Sequence, residues 1–231
     1  VIAEAMGPFE GFSVDREAML GVIDKHWQAV PEQHLDDPIW HKAILAWGSA
    51  RGLGQLHGYR NAQVSLCQPG GTVSFALDCA TTGIEPEVAL VNYKKLSGGG
   101  TIKKTNALVG RALFNLGYTN NGIWNIEEYI EQHGTIEGAP NFRVEHLPVF
   151  DCAFPTKPGG RSIPWEAHIK MVAAIQPFLS MGVSKTCNLP NSATIEDIER
   201  AYMMAWELGL KSISIYRDGC KFQQPVTTHQ E

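Results

Sequence analysis

Residues 61–100, NAQVSLCQPGGTVSFALDCATTGIEPEVALVNYKKLSGGG, decide how this chain is read. An apolar alternation over residues 61–66 predicts a strand that runs into a Pro69-Gly70-Gly71 turn, then into Thr72 and a short apolar segment. Two glycines let the backbone turn tightly and approach a ligand, and Thr72 is suited to cap a helix start. Free amides at such a start cradle an anion, and a strand that ends in one marks the mouth of an α/β layer. Glycine-rich turns are common, so the weight of this one comes from what surrounds it.

The 231 residues, 44% hydrophobic and 19% charged, describe a folded chain that buries a sizeable core in one domain, or at most two. A formal net charge of -5 argues against a nucleic-acid polymer or an anionic membrane as partner. No apolar run approaches the ~18 residues that a membrane span needs. Residues 1–6, VIAEAM, lack the basic start and long apolar stretch of a signal peptide. They predict the tail of a helix closed by Gly7-Pro8, and a chain that starts this way is expected to be a fragment or one piece of a larger catalytic unit. Five cysteines (Cys67, Cys79, Cys152, Cys187 and Cys220) with no C-x-x-C pair suit a reducing cytoplasm. They argue against a disulfide framework or a zinc site, and most of them read as buried apolar thiols.

Ser13 is expected to cap a helix carrying Met19, Val22, Ile23 and Trp27, with Pro31 as its stop. Asp36-Asp37-Pro38 starts a second helix with Ile39, Ala43, Ala46 and Trp47 on one side, loosened at its end by Gly52, Gly54 and Gly58. Residues 89–95 and 101–104 predict a hairpin joined by Ser97-Gly98-Gly99-Gly100. Helices are expected over 106–116, 123–133 and 164–176, with mostly loop over 138–164 and a short strand near Val144. Residues 183–188 predict a strand. Thr194 then caps a helix with Asp197 three residues on, and Ile195, Ile198, Ala201, Tyr202, Ala205 and Leu208 form its apolar face. Gly209 ends that helix and residues 212–216 predict a second strand, parallel to the first.

Gly98-Gly99-Gly100-Thr101-Ile102-Lys103-Lys104-Thr105 nearly fits a P-loop, but Lys103 stands where the second glycine must let the backbone wrap a phosphate. A hairpin is the better reading. Asp24-Lys25-His26 resembles the start of a cobalt-ligating D-x-H-x-x-G element, yet Ala29 replaces the glycine and the segment sits in an amphipathic helix. His41, His57, His133, His146 and His168 show no metal-ligand spacing. Lys185-Thr186 and Arg217-Asp218 are expected at strand ends, where residues face a site mouth. For Arg217, a structural pairing with Asp218 or a loop carboxylate stands beside a functional role.

Longer runs carry a family likeness. Pro69-Gly70-Gly71-Thr72-Val73, Asp78-Cys79-Ala80-Thr81-Thr82-Gly83-Ile84-Glu85-Pro86 and Tyr93-Lys94-Lys95-Leu96-Ser97-Gly98-Gly99-Gly100 resemble adenosylcobalamin-dependent (class II) ribonucleotide reductase. The resemblance continues through Val149-Phe150-Asp151-Cys152-Ala153, Glu166-Ala167-His168-Ile169, Gln176-Pro177-Phe178 and Ser184-Lys185-Thr186. It closes with Ala205-Trp206-Glu207-Leu208-Gly209-Leu210-Lys211 and Tyr216-Arg217-Asp218-Gly219. It implies an α/β fold, the C-terminal portion of a ten-stranded α/β barrel with parallel strands and crossover helices. Residues 1–231 would form a partial catalytic barrel domain, 1–58 a helical lead-in and 59–231 the second half-barrel.

The same resemblance implies a P-T-G-T-I type turn that holds the phosphates of a ribonucleotide substrate, a role that falls on Pro69, Gly70, Gly71, Thr72 and Val73. Gly70 replaces the usual Thr, so one hydroxyl donor is lost, worth about 1 kcal/mol, while the backbone amides remain. The implied cofactor is adenosylcobalamin. The implied partners are the remainder of the reductase chain and a thioredoxin-type reductant, in an enzyme of ribonucleoside-diphosphate reductase type. Diphosphate and triphosphate substrates both stay open. The family's radical cysteine lies in Asn-x-Cys-x-Glu, which is not found here, nor is its C-terminal C-x-x-C shuttle. No catalytic residue and no metal ligand is therefore assigned, and Cys187, where the family usually has an aliphatic residue, is expected in the core. Two rivals remain: a non-catalytic complementation piece of a split reductase, inactive alone, and an unrelated nucleotide-binding domain that would need the near-P-loop to be real.

Overall fold

Pro38 and Asp37 show how local chemistry sets an element here. The Asp37 side chain accepts from the Ile39 amide at 2.7 Å, and Pro38 at the first helical position lacks an amide that would have gone unpaired. The computed structural model describes residues 1–31, 36–77, 79, 81–95, 101–157 and 159–220, without the side chains of residues 72, 75, 92–95 and 101–104. The chain divides into two units, Val1–Cys67 with Met171–Val183, and Gln68–Lys170 with Ser184–Glu231.

The first unit holds α1 (Ile2–Met6), α2 (Phe12–Gln28) and α3 (Pro38–His57). Gly7, at φ +77, closes α1 as expected. Ser13 lies inside α2, whose cap position is Gly11, and the face that α2 buries is Phe12, Leu20, Ile23 and His26. An ion pair, Arg51 Nε to Asp24 Oδ1 at 2.7 Å, joins α3 to α2. Of the glycines expected to loosen the end of α3, Gly52 and Gly54 lie within it, and Gly58, at φ +74, is its C-cap. Gly54 is buried because a Cβ there would overlap the Tyr59 ring, whose hydroxyl donates to the Ala50 carbonyl at 2.9 Å. Of the side that the apolar spacing marked, Ala43 and Trp47 are half-buried, Trp47 against the His26 ring of α2, while Ile39 and Ala46 are exposed.

Residues 61–66 do not form the expected strand. They run beside residues 180–183 with a single parallel bridge, Cys67 to Val183, and Ser180 Oγ accepts from the Val64 and Ser65 amides at 3.1 and 3.2 Å. A side chain that captures backbone amides this way competes with a regular ladder.

In the second unit α4 (Gly71–Ala76) is followed by β1 (Val91–Lys95) and β2 (Thr101–Thr105), antiparallel with Val91 opposite Thr105 and Lys95 opposite Thr101. The expected hairpin is present; residues 96–100, its connection, lie outside the described residues. Then come α5 (Leu108–Asn115) and α6 (Asn120–His133), which bury Leu113, Ile126 and Ile130 completely beside Leu90, Val91 and Phe150. Truncating such a residue to Ala costs roughly 2–5 kcal/mol. The short strand expected near Val144 is instead a 3-10 helix, Val144–Phe150, whose Pro148 has no amide to give a ladder.

After α7 (Trp165–Ile175), β3 (Thr186–Leu189) pairs in parallel with β4 (Ser214–Arg217), Thr186 opposite Ser214 and Leu189 opposite Arg217, with α8 (Ile195–Glu207) between them in sequence. Thr194 and Asp197 make the expected reciprocal cap: Asp197 N donates to Thr194 Oγ1 at 3.3 Å, and Thr194 N donates to Asp197 Oδ2 at 2.9 Å. Ala201 and Ala205 of α8 are buried with Cys187, Leu189 and Ile169, whereas Ile195 and Tyr202 are exposed. Small residues form this interface and let α8 sit close to the strands.

Candidate phosphate loop and its buried support

The loop begins with Pro69, and the chain folds back at once, Gly71 N donating to the Pro69 carbonyl at 2.9 Å. Ser74 N donates to the Gly70 carbonyl at 2.6 Å, which makes Gly70 the residue at the cap position of α4. Thr72, expected to cap, lies inside the helix. Helix geometry leaves the amides of Thr72 and Val73 without a partner within α4. Pro69, Gly71 and Val73 are exposed and Gly70 is half-buried, while Ser74 is buried beneath them. A Cβ on Gly70 would meet Ser74 Oγ at 3.1 Å, so glycine allows the turn to settle onto that hydroxyl.

Asp78 and Ala80 of the adjoining motif lie outside the described residues. Further on, Glu85 N donates to the Thr82 carbonyl at 3.1 Å and closes a turn around Gly83. Gly83 has φ +63, a conformation that side chains resist. A Cβ there would overlap the Gln68 carbonyl oxygen and lie 3.5 Å from Pro69 Cα. The Gly83 turn therefore backs directly onto the entry to the loop.

Glu85 itself reaches a buried cationic cluster. Lys185 Nζ donates to Glu85 Oε2 at 3.1 Å, to His168 Nδ1 at 2.7 Å and to the Thr186 carbonyl at 2.8 Å. The second Glu85 oxygen accepts from Thr186 N at 2.6 Å. The Lys185 side chain is 3% exposed, so all three ammonium donors are used inside the protein. Because an ammonium only donates, His168 Nδ1 accepts and the ring proton sits on Nε2, which is buried without a partner among the described residues. Burial, and then the Lys185 charge, push His168 down to about 4, so its ring is neutral at pH 7. Removing one member of a buried pair of this kind costs roughly 3–5 kcal/mol, since the other charge is stranded.

The other expected residues each have surroundings of their own. Lys185 precedes β3 and is enclosed rather than facing a site mouth at a strand end. Arg217 ends β4, and its guanidinium donates to the Ala193 carbonyl at 3.0 Å and to the Asn191 carbonyl, so among the described residues its pairing is with loop carbonyls rather than a carboxylate. His26 Nδ1 meets the Pro177 carbonyl and its ring lies 4.8 Å from the Trp47 ring centre, inside α2 and away from solvent. Lys103 and Lys104 are in β2 opposite Tyr93 and Asn92, a ladder and not a phosphate loop leading into a helix; Gly98, Gly99 and Gly100 lie outside the described residues. Cys152 and Cys187 are buried, and burial pushes their thiols up to about 12 and about 11. Cys79 and Cys220 are exposed and Cys67 is half-buried, so the core reading holds for two of the five.

The Glu85–Lys185–His168 cluster was not foreseen as a unit. The signal was a lysine just after Val183 in an otherwise apolar approach to a strand, because a charge in such a place needs partners. The partner is 100 residues away in sequence, and spacing says nothing at that range.

A family model described as "Ribonucleotide reductase, barrel domain" matches residues 1–216. The chain belongs to this ribonucleotide reductase barrel family. Among its relatives, the vitamin B12-dependent ribonucleotide reductase of Rhodopirellula baltica is 47% identical over 232 residues, covering 100% of this chain and 22% of that protein. The protein of the same name from Streptomyces coelicolor is 44% identical over 230 residues, covering 98% of this chain and 23% of the relative. The one from Agrobacterium fabrum is 34% identical over 335 residues, covering 97% and 26%. The chain thus spans about a quarter or less of these reductases. A likeness of fold also appears in three dimensions: the Actinobacillus ureae class Id ribonucleotide reductase alpha subunit matches with a TM-score of 0.53 at 21% identity, over 83% of this chain and 35% of that subunit.

Proposed function

We propose that this chain supplies the substrate phosphate loop and part of the barrel wall of an adenosylcobalamin-dependent ribonucleotide reductase, which converts ribonucleotides to deoxyribonucleotides for DNA synthesis. The observation that carries the reading is 47% identity along the whole chain to a vitamin B12-dependent ribonucleotide reductase. In this reading residues 1–58 lead into the second half of a ten-stranded barrel formed by residues 59–231, in a cytoplasmic enzyme reduced by a thioredoxin-type partner. Pro69, Gly70, Gly71, Thr72 and Val73 hold the substrate phosphates through main-chain amides at the start of α4. Support for that role comes from the exposure of Pro69, Gly71 and Val73 and from helix geometry, which leaves the amides of Thr72 and Val73 without a partner within α4.

Adenosylcobalamin, when bound to the assembled enzyme, supplies the radical. His26 does not fit as a cobalt ligand, being 5% exposed with its ring packed on Trp47, and no other described residue is given a role toward the cofactor. The work of this segment is to bind and orient the nucleotide and to help exclude water from the radical site. Coverage of only 22% of the Rhodopirellula baltica relative, together with no Asn-x-Cys-x-Glu in the sequence, favours a segment that is inactive by itself.

The test is to assemble the segment with the remainder of the reductase and assay deoxynucleotide formation with and without adenosylcobalamin. Formation that depends on the cofactor is expected. Formation that is indifferent to its omission contradicts the class, and an upstream start codon immediately before Val1 would favour the split-subunit form.

A further inference from the structure

In the loop Pro69, Gly71 and Val73 are exposed and Gly70 is half-buried, and the nearest buried side chain in the sequence is Ser74. A main-chain phosphate cradle nevertheless has to be held to within about 0.5 Å of its working geometry. Its position must be set by what lies behind it. We propose that Lys185, Glu85 and His168 are positioning residues for the phosphate loop, acting through the Gly83 turn. The inference deepens the proposed phosphate-binding role of residues 69–73 and rests on it.

The mechanical chain is short. His168 and the Thr186 carbonyl fix the Lys185 ammonium at 2.7 and 2.8 Å, and that ammonium holds one oxygen of Glu85 at 3.1 Å. The Thr186 amide holds the other oxygen at 2.6 Å. Glu85 is thereby gripped at both oxygens by the start of β3, a strand whose Cys187 and Leu189 are in the core. Thr82 and Glu85 close the turn by a 3.1 Å backbone bond, so moving Glu85 moves Gly83. Gly83 in turn lies against the Gln68 carbonyl and Pro69 Cα, immediately before the cradle. Each link is a hydrogen bond or a close approach, with no flexible side chain interposed between Glu85 and the loop.

The experiment uses the assembled reductase, with CDP and CTP assayed in parallel because either phosphate length suits the cradle. Glu85→Gln keeps the shape and loses the charge; Lys185→Met keeps an unbranched chain one atom shorter and loses every donor. In each, KM for the nucleotide is expected to rise about tenfold while kcat stays within about threefold. The double variant, with no stranded charge, is expected to recover part of that loss. A merely structural role would lower the unfolding midpoint and the active fraction, and leave the KM of the folded enzyme alone. If Lys185→Met does not fold, the isosteric Glu85→Gln carries the same test. A folded Glu85→Gln enzyme with KM within twofold of the parent overturns the inference. Calorimetric titration of the parent enzyme with the same nucleotides separates the two failures. A parent that binds neither CDP nor CTP removes the phosphate-loop reading and this inference with it, whereas a parent that binds beside unaffected variants removes the inference alone.

Discussion

The carbonyl oxygen of Gln68 occupies the space in which a side chain on Gly83 would begin. Two segments that both resemble reductase motifs, and that sequence alone keeps apart, are thus one physical object. The left-handed backbone at Gly83, φ +63, permits the approach.

Gly83→Ala is therefore expected to displace the entry to the loop even though it leaves every loop residue unchanged. Left-handed strain alone costs an L-residue about 1–2 kcal/mol, and the overlap with Gln68 adds to it. Calorimetric titration of the assembled enzyme with CDP and CTP should show affinity at least tenfold weaker. Unchanged affinity would mean that the two segments do not communicate.

His168 gives a pH signature. Its folded value of about 4 lies below the ordinary 6.5, so between these limits the unfolded chain binds the additional proton. Stability from this group is complete above pH 6.5 and declines as pH falls toward 4. Lys185 and Glu85 are the charged groups that face the ring and its partner, and both stay in place in the comparison. His168→Asn is expected to be less stable at pH 7.5 but to lose less of its urea midpoint on going to pH 5 than the parent does. Parallel losses in the two proteins would place the titration elsewhere.

The thiols differ in accessibility and in acidity. Cys152 and Cys187 are buried, with thiols pushed up to about 12 and about 11, so at pH 8 they carry almost no thiolate. Iodoacetamide followed by peptide mass mapping is expected to label exposed Cys220 in the native protein and to reach Cys152 and Cys187 only in urea. Native labelling of Cys187 would contradict its place beside Leu189 in the core.

The cap of α8 sets a smaller expectation. Thr194→Ala removes the acceptor for the Asp197 amide, and loss of such a cap costs about 1 kcal/mol. For a chain of this size that is about 2–4 °C in Tm, measurable by calorimetry. Thr194→Ser should restore most of it.

The parts of this fold that sequence made legible are those governed by neighbours in the chain. The Thr194–Asp197 box, the Asp37-Pro38 helix start and the hairpin of residues 91–105 all follow from signals a few residues long. Errors arose where a distant partner decided. Residues 61–66 alternate like a strand, but Ser180 captures their amides; Gly54 looks like a helix breaker, but it makes room for Tyr59. In the candidate site, the turn ahead of α4 was readable from Pro69-Gly70-Gly71, whereas the Glu85–Lys185–His168 cluster joins three segments that no local pattern connects.

The most direct measurement is a structure of the assembled reductase with a bound ribonucleotide. The phosphoryl oxygens are expected within about 3 Å of the main-chain amides over residues 70–73, with Gly83 still seated behind Gln68. Phosphates held by other segments, with those amides facing only water, would contradict the account.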